Sequence, residues 1–265
     1  MASPDITVLL LQAAVLVVLI AVALTRRAAL LVAAGALAGA MAALIADLLV
    51  SGWRSDLSFT LWATLTATLV GYVAIGWAVP PLRRLSVLLI PYLLLVGVLA
   101  LLVRMLAPVP PMPGSVGPVA WFDAHIVFAL ATYALLSLAA IAGFACLLQD
   151  AALKQKQPGG IANRLPSLAE SERLEIRLLA AAEIVLGIGI ASGMALGWFS
   201  THEAMPFDHK TILAIAAFLL IGLLLLAHAK TGFRGRRAAR WVLVAWLLLT
   251  LAYPGVKFVR EILIG

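Results

Sequence analysis

Long apolar runs, separated by short polar segments, repeat along the whole chain. They cover residues 6–24, 28–50, 59–79, 87–106, 120–148, 178–199, 212–229 and 241–259. A helix of about twenty apolar residues spans the hydrocarbon core of a bilayer, whereas barrel strands show short alternating segments. The pattern therefore predicts an all-α fold, a polytopic membrane helical bundle with about eight transmembrane helices.

Composition narrows the classes of function. Hydrophobic residues make up 64% of the chain and charged residues 12%, against about 25% charged in an average soluble domain. The single cysteine, Cys146, excludes an intramolecular disulfide and a Cys-based zinc site. The net charge of +7 comes without a basic tail or a basic run interleaved with aromatics, and membrane proteins concentrate basic residues in cytoplasmic loops. We therefore expect a lipid bilayer as partner and no nucleic acid.

The distribution of Lys and Arg between alternate loops predicts the orientation of the bundle. Fourteen of the 19 basic residues follow the odd-numbered spans, and the other five are Arg54, Arg104, Lys210, Lys257 and Arg260. Because basic loops favour the cytoplasm, both termini are expected outside, an N-out and C-out arrangement. Asp5 before the first run and Arg26 behind it favour a retained span over a cleaved secretory signal.

Histidines and aromatic residues cluster in two segments that this orientation places outside. The cluster consists of Trp121, Asp123 and His125 at the start of the fifth span and of Trp198, Phe207, Asp208 and His209 before the seventh. A neutral imidazole is a good iron ligand, and a nearby carboxylate can orient it through its other nitrogen. Aromatic side chains provide the flat apolar walls that a porphyrin needs. The alternative is an interfacial aromatic belt with incidental histidines. His202, in the loop without helical support, is the least suited of the four histidines.

His228 belongs to the opposite side of the predicted membrane. Nineteen residues separate it from His209, or roughly 28 Å along a helix, so the two histidines cannot ligate one haem iron together. Two histidine sites on opposite sides are one interpretation. The other is that His228 lies in the membrane interface beside Lys230.

Two acidic residues within the spans leave a second class of function open. Glu183 and Asp47 are candidates for proton handling, as in a small-solute or ion transporter, or each pairs with a polar neighbour near an interface. The sixth span also carries glycines at positions 189, 193 and 197, and such a ridge predicts close approach of another helix. Ser167 and Glu170 have capping-box spacing, which predicts that a helix begins there and runs into the sixth span.

Several ordered blocks of the second half resemble the cytochrome c assembly protein family, with its CcsA, HemX and YpjD branches. Residues 125–135 resemble the family's outer histidine and the Tyr-Ala helix that follows, and residues 165–170 precede a glycine-rich helix as in the family. Residues 207–211 lie where the family has Trp-Asp-Pro-Lys-Glu, at the end of its tryptophan-rich haem loop. His228 and residues 232–237 are similar to the family's inner histidine with its Gly-Trp-Arg-Gly-Arg loop.

The resemblance implies haem handling during the maturation of c-type cytochromes. It matches His125 to the outer histidine, Asp208 to the loop aspartate and His228 to the inner histidine. His209 replaces a proline, span two carries no histidine, and most of the loop tryptophans are absent. Residues 120–265 form the assembly-like four-helix region, and residues 1–119 form a four-helix membrane region matched only in hydropathy.

The combined prediction is a multi-pass protein of the bacterial inner membrane that binds or presents haem at its outer face. His125 and His209 are the predicted axial ligands of the haem iron. The remaining predicted haem-binding residues are Trp121, Trp198, Phe207, Asp208 and His228. The expected partners are haem and cytochrome c assembly proteins, and no catalytic residue is assigned. The alternatives are the transporter and an assembly chaperone that binds no ligand.

Overall fold

Helices dominate the computed structural model of the chain, which describes residues 4–24, 29–51, 56–106, 119–155, 160–201 and 209–264. Within these ranges there is no strand, so the all-α prediction is confirmed. Seven of the described helices are long and apolar enough to cross a membrane, and a shorter apolar helix covers Ile6–Ala21. The polytopic helical bundle is therefore confirmed. The count of eight spans and the N-out and C-out orientation stay predictions.

The first compact unit comprises Met1–Met112 together with Lys257–Gly265. Its helices are α1 (Pro4–Leu24), α2 (Ala29–Ser51), α3 (Leu57–Ala78), the short α4 (Pro80–Arg84) and α5 (Ser86–Leu106). Helix α1 packs against α2 and α5, and α3 packs against the same two helices. The four long helices of this unit therefore form a closed ring.

Two carboxylates hold the start of α3, one directly before the helix and one near the C-terminus of the chain. Asp56 precedes the helix, and its Oδ2 accepts the N–H of Phe59 at 3.2 Å. Glu261 Oε2 accepts the N–H of Leu57 at 2.7 Å. Both acids satisfy amides that the first helical turn leaves without partners, and both lie at the positive end of the helix dipole. The C-terminal segment of the chain thereby fixes the beginning of α3.

The second compact unit comprises Pro113–Val256. Its helices are α6 (Val119–Lys154), α7 (Leu168–Thr201), α8 (His209–Thr231) and α9 (Arg236–Thr250). Helix α6 packs against α7 and α9, and α8 packs against the same two neighbours. Helices α6 and α8 therefore lie diagonally across this second ring, with α7 and α9 between them.

The predicted capping box begins α7 as expected. Ser167 donates its backbone N–H to Glu170 Oε2 at 2.9 Å, and Ser167 Oγ accepts the N–H of Glu170 at 3.3 Å. Gln149 of α6 holds the segment before α7 in place, because its Nε2 donates to the carbonyls of Ala162 and Pro166 at 2.9 and 2.8 Å. From this start α7 runs without interruption through the predicted sixth span, which confirms the prediction.

Helix α9 continues into a π-helical turn at Leu251–Gly255, which contains Pro254. Proline lacks the N–H that an α-helix needs at this point, and a π-turn is one way in which a helix accommodates the gap. Just before the turn, Tyr133 of α6 hydrogen-bonds Thr250 of α9, their hydroxyl oxygens 3.2 Å apart. This bond locks α6 to α9 next to the irregular turn.

Candidate functional site

His125 lies two turns into α6 and is held by the facing surface of α7. Its Nδ1 lies 3.0 Å from Ser192 Oγ and 3.2 Å from the carbonyl oxygen of Gly189. Ser192 Oγ itself donates to the Gly189 carbonyl at 2.8 Å. The ring is half-buried, and Ser192 is buried. Two groups of α7 therefore meet one nitrogen of the imidazole.

The hydrogen bonds around Nδ1 decide which ring nitrogen of His125 is available. The Ser192 hydroxyl has one hydrogen, which it donates to the Gly189 carbonyl. Nδ1 then carries the ring proton and donates it to the same carbonyl, which has two lone pairs. In that tautomer Nε2 keeps its lone pair, and no described group hydrogen-bonds Nε2. Metal-binding histidines are commonly oriented by such an Nδ1 bond to a backbone carbonyl.

Glycine at position 193 lets the two helices approach closely at the histidine. A Cβ atom added at Gly193 would lie 3.0 Å from Cε1 of His125 and 3.4 Å from its Nδ1. One turn away, a Cβ at Gly189 would lie 3.7 Å from Cβ of Phe128 on α6. The predicted role of the glycine ridge in close helix packing is therefore confirmed at these two positions, and its partner is α6.

The other predicted haem-binding residues of the described chain lie at different positions around this ring. Trp121 precedes His125 by one turn, so both project from the same side of α6, and Trp121 is 48% exposed. Trp198 follows Gly193 by five residues, which puts it roughly 140° further round α7, away from the side that contacts His125. His209 is the first residue of α8 and is exposed.

Three of the sequence-predicted positions fall outside the described residues: His202, Phe207 and Asp208. The structure thus joins His125 to the serine and glycines of α7. A shared site for His125 and His209 stays a prediction, as do the walls formed by Trp198 and Phe207.

His228 occupies the opposite end of α8 and is oriented in a similar way. Its Nδ1 lies 3.0 Å from the carbonyl oxygen of Phe233, in the turn between α8 and α9. The N–H of Gly232 donates to the His228 carbonyl at 3.1 Å, which closes the turn. His228 is half-buried. The histidine therefore has a defined ring orientation, with Nδ1 engaged by backbone.

A buried carboxyl on α7 was not predicted from the sequence. Glu175 is 1% exposed, and its Oε2 accepts the thiol hydrogen of Cys146 on α6 at 3.4 Å. Its Oε1 has no hydrogen-bond partner among the described residues. The signal was helical periodicity: Glu175 precedes Leu178 and Leu179 by one turn, and all three are buried on one side of α7. Because Glu170 and Glu172 also lie near the start of α7, Glu175 was not distinguished from them in the sequence.

The two acids of the transporter alternative differ in their surroundings. Asp47 of α2 forms a buried ion pair with Arg104 of α5, with Oδ2 and Nη1 2.9 Å apart. Glu183 of α7 faces α8, since a Cβ added at Gly222 would lie 3.0 Å from Glu183 Oε1. Within the described ranges, no cluster of three or more His, Cys, Asp or Glu side chains is suited to hold a metal ion.

Comparison with known proteins decides the family. A family model described as "Cytochrome C assembly protein" matches residues 50–264. The chain belongs to the cytochrome c assembly protein family. The match extends from the end of α2 to the C-terminus, so it includes α3 and α5 as well as the four helices that carry the resemblance in the sequence.

Three relatives match the chain over about half of its length or more. A protein of Azospirillum brasilense, named for its 28.8 kDa mass and its place in a nifR3-like 5′ region, is 50% identical over 213 residues, covering 80% of this chain and 78% of its own. The inner membrane protein YpjD of Escherichia coli K12 is 28% identical over 141 residues, and 52% of each chain is covered. Protein HemX of Brevibacillus brevis is 27% identical over 131 residues, covering 49% of this chain and 48% of its own.

Proposed function

We propose that this member of the cytochrome c assembly family binds haem at its predicted outer end, with Nε2 of His125 as an iron ligand. Family membership supports a role in cytochrome c biogenesis. The observation that carries the proposal is the anchored imidazole, whose Nδ1 is engaged by Gly189 and Ser192 while no described group bonds Nε2. A histidine in this state needs no rearrangement of its own hydrogen bonds to bind a metal.

The described residues fit haem better than a bare metal ion. Haem would bring an iron that needs only one or two imidazoles from the protein. A site for a bare ion would need a cluster of ligands, which the described residues lack. On the protein side, His125 supplies the imidazole and Trp121, one turn away on the same side of α6, supplies an exposed aromatic surface.

His209 is the proposed second axial ligand, because it begins α8 directly after the aromatic segment that the sequence predicts to lie outside. Phe207, Asp208 and Trp198 complete the proposed outer site. His228 belongs to a separate inner site in this proposal, because α8 separates it from His209 by nearly its full length. The anchoring of its Nδ1 on Phe233 supports a ligand role for His228 as well.

The proposed location is the bacterial inner membrane, with His125 on the outer side. Seven membrane-length helices among the described residues and a relative named as an inner membrane protein support this location. In this proposal the chain presents haem to other cytochrome c assembly proteins outside the membrane.

The transporter alternative is less well supported by the described geometry. It relied on two acids within the spans, and Asp47 is engaged by Arg104 in a buried ion pair. Glu183 remains as a half-buried carboxyl on α7. Direct measurement of haem binding distinguishes the haem proposal from an assembly chaperone that binds no ligand.

A haem titration of the purified protein tests the proposal. The protein is isolated in detergent, and its Soret absorption is recorded as isolated and after stepwise addition of haem. We expect a saturable band with a shape characteristic of histidine ligation. Empty detergent micelles serve as the blank for haem that merely partitions into the apolar phase.

The outcomes assign the ligands. A titration indistinguishable from empty micelles removes the haem proposal and leaves the chaperone and the transporter. Loss of a fraction of the band in His209→Ala supports His209 as the second outer ligand. An unchanged spectrum in that variant would mean that another residue is the second ligand. If His228→Ala loses a part of the band that His209→Ala retains, the result supports the separate inner site.

A further inference from the structure

An apolar groove runs between α8 and α9 at the end of the bundle that carries His228. Its volume is about 190 Å³, and its lining consists of Leu220, Leu223, Leu224, Ala227, Phe233 and Trp241. Leu223 is 65% exposed and Trp241 49%, so the groove is open to the surroundings of the protein. Sites for drug-sized molecules measure about 300–1,000 Å³, and this groove therefore suits a narrow apolar chain better than a broad ring system.

Basic side chains surround the end of this groove. Lys230 follows the lining residue Ala227 by three positions on α8, and Arg237 precedes Trp241 by four positions on α9. Residues at these spacings share a helix face, so both cations continue the groove toward the predicted cytoplasmic surface. Arg234 lies next to Phe233 in the connecting turn, and all three side chains are exposed.

The positive charge at this end is not neutralised within the described structure. No carboxylate lies within ion-pair distance of Lys230, Arg234 or Arg237 in the part of the chain that the structure describes. Glu172 of α7 reaches the same turn, where a Cβ added at Gly235 would lie 3.2 Å from its Oε1. It approaches the turn without pairing with any of the three cations.

The backbone adds to the same positive potential. Gly235 is the N-cap residue of α9, and because it has no side chain the helix has no side-chain cap. The first amides of α9 therefore retain hydrogen-bonding capacity at the end where the helix dipole is positive. This start of α9 lies between Arg234 and Arg237, beside the groove.

We propose that the α8–α9 groove binds an anionic phospholipid, with an acyl chain in the groove and the headgroup phosphate between Lys230, Arg234 and Arg237. A phospholipid fits both parts of the site, because its acyl chain matches the apolar groove and its negative headgroup matches the unpaired cations at the end of the groove. Basic pockets between transmembrane helices on the cytoplasmic side bind such lipids in general. The groove is separate from the proposed outer haem site, but it shares Phe233 with the proposed inner site, where the Phe233 carbonyl orients His228.

Lipid binding to the purified protein tests this site. Native mass spectrometry in detergent compares phosphatidylglycerol with phosphatidylcholine of the same acyl chains. We expect phosphatidylglycerol to bind more tightly, and Lys230→Gln with Arg237→Gln to weaken its binding at least about tenfold, since each basic side chain near an anionic lipid contributes about fivefold. The matched control, Arg173→Gln with Arg177→Gln, removes the same charge from exposed positions of α7 and should leave binding within about twofold.

A second pair of variants tests the groove itself. Leu223→Trp fills it and should weaken phosphatidylglycerol binding, whereas Leu219→Trp, at a 57% exposed position of α8 outside the lining, should not. Equal binding of both lipids, or equal weakening by the α7 control pair, would reduce the site to a general basic surface and overturn the proposal. Equal weakening of phosphatidylglycerol binding by Leu223→Trp and Leu219→Trp would also overturn the proposal. Displacement of the lipid by added haem at this groove would assign it to haem instead.

Discussion

Substituting valine for Gly193 is expected to weaken haem binding at least about tenfold while the protein still folds as a helical bundle. Any side chain at position 193 places a Cβ atom 3.0 Å from Cε1 of His125, closer than such atoms normally approach. The branches of valine extend that clash, and the ring must turn away from α7. His125 then loses the Gly189 carbonyl and Ser192 hydroxyl that orient it.

The haem titration of the variant measures this effect, and two further variants control it. Gly35 of α2 has no atom within 4 Å of an added Cβ, so Gly35→Val introduces the same residue into a helix without a clash and should bind haem normally. Ser192→Ala removes one hydrogen-bonding group at Nδ1 without adding bulk and should give a smaller loss. Normal haem affinity in Gly193→Val would show that the α7 surface does not position His125.

Replacing Arg104 with alanine is expected to cost about 3–5 kcal/mol of unfolding free energy, a large effect for one residue. Arg104 and Asp47 pair at 2.9 Å with side chains only 7% and 2% exposed. Burial removes both charges from water, and the pairing compensates for that loss. Without the guanidinium, the aspartate loses a close ion-pair partner in a region of low dielectric constant.

Reversible denaturation in detergent measures this difference in stability. Lys154→Ala is the matched control, because Lys154 pairs with Asp150 at a similar 2.8 Å but is 62% exposed. An exposed pair of this spacing contributes about 0.2–0.5 kcal/mol. The double variant Asp47→Leu with Arg104→Leu should recover most of the stability, since it removes both charges of the pair together. Equal losses for Arg104→Ala and Lys154→Ala would contradict the assignment of Asp47–Arg104 as a buried pair.

The parts of the fold that depend on local pattern could be predicted from the sequence. Hydrophobic run length predicted the helical membrane bundle, because the hydrocarbon thickness sets the length of each span. The capping-box spacing of Ser167 and Glu170 predicted the start of α7, since both partners lie within one turn. The spacing of Gly189 and Gly193 predicted close packing of this helix, although periodicity alone did not identify α6 as its neighbour.

Contacts between distant residues could not be predicted in this way. Glu261 caps α3 from 204 residues away, and no sequence spacing predicts that contact. The sequence left Asp47 as a proton-handling group or as the partner of a polar neighbour, and only the fold of the first unit, which brings Arg104 of α5 to it, selects the pair. Glu175 resembled an exposed acid of the first turns of α7, and its burial depends on where α6 packs.

The candidate site was predicted in part. The sequence identified His125 by its position beside Trp121 and by the resemblance of the surrounding block. Ser192 was noted only as a neighbour of the glycine ridge, and its role as a partner of His125 required the α6–α7 contact, 67 residues apart along the chain. The pairing of His125 with His209 depends on the loop at 202–208, which lies outside the described residues, and it stays a prediction.

The most direct test of the central claim is the absorption spectrum of haem-loaded His125→Ala, recorded before and after the addition of imidazole. If Nε2 of His125 ligates the haem iron, the variant should lose the histidine-type Soret signal of the outer site while the signal of the inner His228 site remains. Free imidazole should restore the lost signal by occupying the space of the missing ring. A His125→Ala variant with the wild-type spectrum and the wild-type haem affinity would contradict the account.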